Sequence, residues 1–157
     1  MTDGQYDISI ELSEDSPEID LGRLQALAER VMAGESVAAT TALAILVTDD
    51  DELRRMNHQF LGIDEPTDVL SFPDEAGDWV QGIAEDPLLG DIAISLPTAK
   101  RQALAIGHSL EAEMSHLLVH GILHLCGYDH VTGPEDEARM RAREEHYLGD
   151  LGVIHQH

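Results

Sequence analysis

With 157 residues, 43% of them hydrophobic, the chain is long enough for one compact domain with a substantial core and too short for an obvious second. Its formal charge of −22, from 31 acidic and nine basic residues, argues against a polyanionic partner, because affinity for phosphates normally comes from Lys and Arg. The single cysteine, Cys126, excludes an intramolecular disulfide and fits a reducing compartment; with no charged-then-apolar leader and no apolar run near about 18 residues, a cytoplasmic protein without membrane contact is expected.

Tyr6, Ile8, Ile10 and Leu12 alternate with Asp7, Ser9 and Glu11, which predicts a half-buried strand. Asp20 is placed to cap a helix with apolar positions Leu21, Leu24, Ala28 and Val31, stopped by Gly34. The apolar run Leu43 to Val47 predicts a central strand. Asp49, Asp50 and Asp51 then open a helix through Leu53, Met56 and Phe60 to Gly62, where carboxylates suit the positive dipole end better than a hard cation. Pro66 and Pro73 bracket the next strand and mark its ends. The acidic stretch Asp74 to Pro87, with the only Trp, Trp79, is expected to be a loop and a mobile flap near the site.

Leu88 to Ser95 predicts another strand, and Ser95 caps a helix with Pro97 in its first turn and Gly107 just past its end. Ser109 to Cys126 is apolar on almost every side (Met114, Leu117, Leu118, Val119, Ile122), which predicts a buried central helix. Thr132-Gly-Pro-Glu135 has capping-box spacing and starts a last helix, with Met140 and Tyr147 among its apolar positions, ending near Gly149. The tail from Val153 is expected to fray, and His155 and His157 receive no role. The order β-α-β-α-β-β-α-α-α predicts a small α+β or α/β domain over residues 1–157, ordered from about 5 to 152, with a mixed sheet of about four strands covered by about five helices.

The central helix carries the chemistry, in His120-Gly-Ile-Leu-His124-Leu-Cys-Gly127-Tyr-Asp-His130. His120 and His124 lie one turn apart on one face. Gly127 can adopt the left-handed conformation that ends a helix, so the chain doubles back and offers His130 to the same point. Three imidazoles with no thiolate suit one zinc ion with an open coordination position, which suggests catalysis. His116, on the same face, is about 12 Å along the axis from His124. Two nitrogens that far apart cannot both lie about 2.0–2.1 Å from one zinc, so His116 is a core or supporting residue. Cys126 is on a different face and is expected to be buried rather than bound to metal. Asp129 either orients a ligand imidazole or serves the turn.

The spacing H-x-x-x-H-x-x-G-x-x-H is also that of metzincin metalloproteases, which carry Glu as general base directly after the first His. Here that position is Gly121, which can neither take a proton nor orient water.

The histidine stretch resembles the motif of the YbeY endoribonucleases, the bacterial rRNA maturation factors. Pro66-Thr-Asp-Val-Leu-Ser-Phe-Pro73 and Leu89-Gly-Asp-Ile92 resemble the family's two other marked stretches in order and spacing, and Asn57, Met140 and Glu144 fall where members usually have them. The resemblance covers roughly residues 5 to 152. It implies one α+β domain, a zinc ion on His120, His124 and His130, and single-strand-specific hydrolysis of RNA phosphodiesters. It further implies a part in 16S rRNA 3′-end maturation and ribosome quality control, with the small ribosomal subunit or its assembly factors as partners and no DNA. Asp68 and Asp91, in the matched motifs, become candidate catalytic acids. Arg54, Arg55, Lys100 and Arg101 are the candidate phosphate contacts. Members commonly carry aromatic-Arg-Gly where this chain has Phe60-Leu61-Gly62, and that Arg is regarded as functional. Together with the acidic surface, its absence keeps a rival reading open, a metal-stabilised ribosome-assembly module that binds without cutting.

Overall fold

The computed structural model describes residues 6–13, 16–73, 88–127 and 134–148. Four strands, β1 (Asp7–Leu12), β2 (Ala42–Thr48), β3 (Val69–Pro73) and β4 (Leu88–Ser95), form one sheet in the order β1-β2-β4-β3. β1, β2 and β4 are parallel, and β3 runs antiparallel to β4. Five helices are seen among the described residues: α1 (Leu21–Gly34), α2 (Asp50–Leu61), α3 (Leu96–Ile106), α4 (Leu110–Leu125) and α5 (Pro134–Leu148). The expected α+β architecture, mixed sheet and element order are all present. The predicted flap, His130, Asp129 and the proposed capping box at Thr132 lie outside the described residues.

Sequence explains the placement of the strands. β2 and β4 are the two inner strands, and β2 is almost wholly aliphatic, whereas β1 alternates because it is an edge strand with one face on the core. β3 occupies the other edge, where a strand ending in Pro73 costs no inner ladder bond. Strand alternation then divides the side chains between two faces. Leu43, Ile45, Val47, Ile92 and Ile94 join the main core with α1, α4 and α5, and each such fully buried side chain contributes about 1.5–3 kcal/mol. Leu70 and Ala93 point to the other face, where Leu53 of α2 packs on them.

α4 lies in the middle, against α1, α3, α5, β3 and β4. Ten of its residues are buried, which is why it is apolar all round rather than along one stripe. No helix among the described residues is long and apolar enough to cross a membrane.

The acidic triplet at the start of α2 serves the fold. Asp49 is the N-cap and accepts from the Glu52 amide at 2.9 Å. Asp50 accepts from the Ser95 hydroxyl, from the Thr98 hydroxyl at 2.6 Å and from Arg101 Nη2 at 2.9 Å, tying α2 to the start of α3. The bonds from Ser95 and Thr98, outweighing partial burial and assisted by Arg101, hold its carboxyl below the usual carboxylate range. A carboxyl so depressed adds stability above its unfolded pKa of about 3.9 and loses it as the pH falls through the lower folded value. Asp50→Asn is therefore expected to cost about 1.5–3 kcal/mol near pH 7, with the gap to the parent closing on acidification. Urea denaturation at a series of pH values measures it, and a gap independent of pH would show that the charge is not what matters.

Candidate functional site

α4 begins at its N-cap Ser109, whose side chain accepts from the Ala112 amide at 3.0 Å, and from there its register aligns His116, His120 and His124 on one face. All three are half-buried. The rings of His120 and His124 meet edge to face with centroids 4.7 Å apart, and those of His116 and His120 are 6.3 Å apart. At the far end of the helix Gly127 takes φ 105°, the left-handed turn expected from the sequence, and its amide donates to the His124 carbonyl at 3.0 Å.

Glu144 of α5 organises this face. Its Oε2 is 2.7 Å from His120 Nδ1, and its Oε1 is 3.6 Å from His116 Nε2, beyond hydrogen-bond reach but close enough for strong electrostatics. Burial alone would raise the Glu144 pKa, but His116 and His120 outweigh it and hold the carboxyl down to about 2. An ionised carboxylate can only accept, so Nδ1 of His120 carries a proton, and in the neutral ring the lone pair is then on Nε2. That is the tautomer an imidazole needs to bind a metal through Nε2, with a carboxylate behind it. His116 responds to the same groups. Burial would lower its pKa, but Glu144, with the charges of Glu113 and Asp68 behind it, raises it overall.

The donor set is thus a pair of imidazoles one turn apart, one of them oriented by an anion, which fits part of a three-histidine zinc site. Among the described residues no group of three or more His, Cys, Asp or Glu side chains is arranged to hold a metal ion. The third expected ligand, His130, lies outside them. Cys126 sits just past His124, and burial first, then the charge of Glu35, pushes its thiol up to about 11.

Gly121 has a structural reason to be Gly. α4 crosses the sheet there, a Cβ would lie 3.1 Å from both Ile92 Cδ1 and Ser71 Oγ, and Ser71 Oγ donates to the Gly121 carbonyl at 3.2 Å. The position at which a metzincin places its general base therefore faces strands packed against the helix.

The two candidate acids separate. Asp68 is half-buried, accepts from Gln102 Nε2 at 3.2 Å, and lies close enough to His116 for its charge to be felt there. Asp91 is exposed and precedes Ile92, which faces α4, so strand alternation places Asp91 on the opposite face of the sheet. There it borders a groove of about 630 Å³ lined by Met56, Phe60, Leu61 and Phe72. Leu61 is part of that apolar wall.

The four candidate phosphate contacts are exposed and each is engaged by a carboxylate. Arg54 Nε is 2.7 Å from Asp64, Arg55 pairs with Glu52, Lys100 Nζ is 2.9 Å from Glu18, and Arg101 is held by Asp50.

Glu144 is the residue whose role was not read from sequence. The signal was present: Met140, Arg143, Glu144, Tyr147 and Leu148 follow the spacing of a core-facing helical stripe, and an acid on such a stripe requires a partner.

The family model for Endoribonuclease YbeY matches residues 9–152. A protein of Chloroflexus aurantiacus called Endoribonuclease YbeY is 44% identical over 150 residues, covering 94% of this chain and 97% of its own length. One of the same name from Roseiflexus castenholzii is 45% identical over 136 residues, covering 86% of each chain. Among solved structures, the solution structure of TM1509 from Thermotoga maritima superposes with a TM-score of 0.59 at 26% identity, covering 92% of this chain and 91% of that one. With the family model matching residues 9–152 and relatives of that name 44–45% identical over most of the chain, the chain belongs to the Endoribonuclease YbeY family.

Proposed function

We propose that this chain is a zinc-dependent hydrolase that cleaves single-stranded RNA, with one zinc ion held by His120, His124 and His130. The observation that carries the reading is the ionised Glu144 bonded to His120 Nδ1 at 2.7 Å, which orients one of a neighbouring pair of imidazoles for metal binding on a helix otherwise buried. Bound there, zinc supplies Lewis-acid polarisation of a phosphoryl oxygen and lowers the pKa of water. The chain's own residues do the rest. His120 and His124 provide nitrogen donors on one rigid helix, and Glu144 keeps His120 in the correct tautomer. Asp68, whose charge reaches His116, would be the acid that holds or passes a proton. Asp91 opens instead to the groove across the sheet. Arg54, Arg55, Lys100 and Arg101 would contact phosphate only by exchanging their present carboxylate partners.

In the cell this activity would serve 16S rRNA 3′-end maturation and ribosome quality control in the cytoplasm, on the small subunit or with its assembly factors. The pairing of all four candidate cations favours a second reading, a metal-stabilised assembly module that binds without cutting. Incubating zinc-loaded protein with a defined single-stranded RNA and with the same RNA in a duplex separates the two. Internal cleavage of the single strand is expected, with the duplex spared. Binding of the single strand without any cleavage would establish the second reading.

A further inference from the structure

Glu35 is placed to act on the histidines from a distance. It is the C-cap residue of α1, and its side chain is only 7% exposed. A carboxylate so buried needs donors, and α5 supplies them. Arg143 donates to Glu35 Oε2 from Nε at 2.9 Å and from Nη2 at 2.6 Å, and the Tyr147 hydroxyl donates to the same oxygen at 2.6 Å. Arg143 Nη2 also donates to the Tyr147 hydroxyl at 3.0 Å, so the three side chains bond one another. Gly34 makes the approach possible, because a Cβ there would collide with the Tyr147 ring and hydroxyl. Arg30 of α1 adds a guanidinium 5.7 Å from the centroid of that ring.

The network ties α5 to the end of α1 at two positions one turn apart. Glu144 follows Arg143 directly, on the stripe shared with Met140 and Tyr147, both buried. A helical segment this short moves as one body, so its rotation and depth decide where the Glu144 carboxylate falls. A slip of about 1 Å would take its 2.7 Å contact with His120 out of hydrogen-bond range.

We propose that Glu35 is a positioning residue for the histidine pair: by clamping Arg143 and Tyr147 it sets α5 so that Glu144 is held against His120. Only the metal-binding part of its test rests on the zinc reading above.

The test uses the full chain and two readouts. The first is the tautomer of His120, read from imidazole nitrogen shifts in metal-free protein at about pH 8, above the ordinary imidazole range. The second is zinc affinity by chelator competition. Glu35→Gln keeps the shape and removes the charge. It is expected to move His120 from the Nδ1–H towards the Nε2–H form and to weaken zinc binding about tenfold. Tyr147→Phe keeps the apolar packing of α5, removes one donor, and should act in the same direction to a smaller extent. It also keeps the proposal testable if Glu35→Gln does not fold. Leu43→Ala, in the core on β2, lowers stability without touching the network and should leave both readouts within about twofold of the parent. An unchanged tautomer and affinity in the clamp variants would overturn the proposal, as would equal shifts in Leu43→Ala. If the parent takes up no zinc, the zinc reading fails, and the tautomer alone decides the role of Glu35.

Discussion

Replacing His120 by Ala is expected to abolish zinc-dependent RNA cleavage, by more than about 100-fold, and His124→Ala to do the same. A metal ligand is worth more than an outer-shell group, whose loss alone typically costs 10–100-fold in affinity or activity. Both imidazoles sit on the face of α4 that meets Glu144, with ring centroids 4.7 Å apart, so removing either leaves one described nitrogen donor on that face beside His116. His116 cannot pair with His124, two turns away, and beside His120 its Nε2 is already turned to the Glu144 carboxylate, 3.6 Å from Oε1. Both substitutions remove half-buried side chains, so the fold should survive, and a far-UV spectrum and thermal melt beside the cleavage assay would confirm it. Cleavage at the parental rate by rigorously purified His120→Ala would place the activity elsewhere in the molecule.

Glu144→Gln is expected to weaken zinc binding about 10–100-fold while leaving the fold intact. The amide can still accept the His120 Nδ1 proton through its carbonyl, but the negative charge that strengthens that bond is gone. The change should also reverse the behaviour of His116. Its pKa is raised because the Glu144 carboxylate overcomes burial, so without that charge burial governs and the pKa falls. The sign follows for stability as well. A histidine with a raised folded pKa contributes stability below its unfolded pKa of about 6.5 and loses it as the pH rises through the folded value, so this contribution should vanish in Glu144→Gln. An NMR titration of His116 in parent and variant reads the shift, and an unchanged titration would show that Glu144 does not control this face.

Much of the fold was legible because local signals agreed. Asp20, Asp49, Ser95 and Ser109 all cap the helices they precede, and Gly62 and Gly107 end theirs in the left-handed conformation. The alternation of β1 marked a half-buried strand, the prolines marked the ends of the strand that holds β3, and the all-round apolar character of α4 marked the centre. Legibility fell where the structure brings distant residues together. The bond from His120 to Glu144 spans 24 residues, and that from Arg143 to Glu35 spans 108, so no local pattern reveals either pairing. Gly121 shows the same limit. Sequence identified it as a missing general base, whereas the packing of Ile92 and Ser71 against it explains why the position is small. Asp68 and Asp91 look equivalent as acids in matched motifs, and only the sheet tells them apart. The candidate phosphate contacts lie exposed on helices, and their carboxylate partners follow from side-chain placement that spacing does not encode.

The most direct measurement is a zinc titration of metal-free protein, following bound zinc and cleavage of a single-stranded RNA in the same samples. The account predicts no cleavage without metal and a rise in parallel with zinc uptake, with both breaking at one equivalent per chain. Full cleavage in the metal-free protein, or one equivalent of zinc bound with no cleavage appearing, would contradict it.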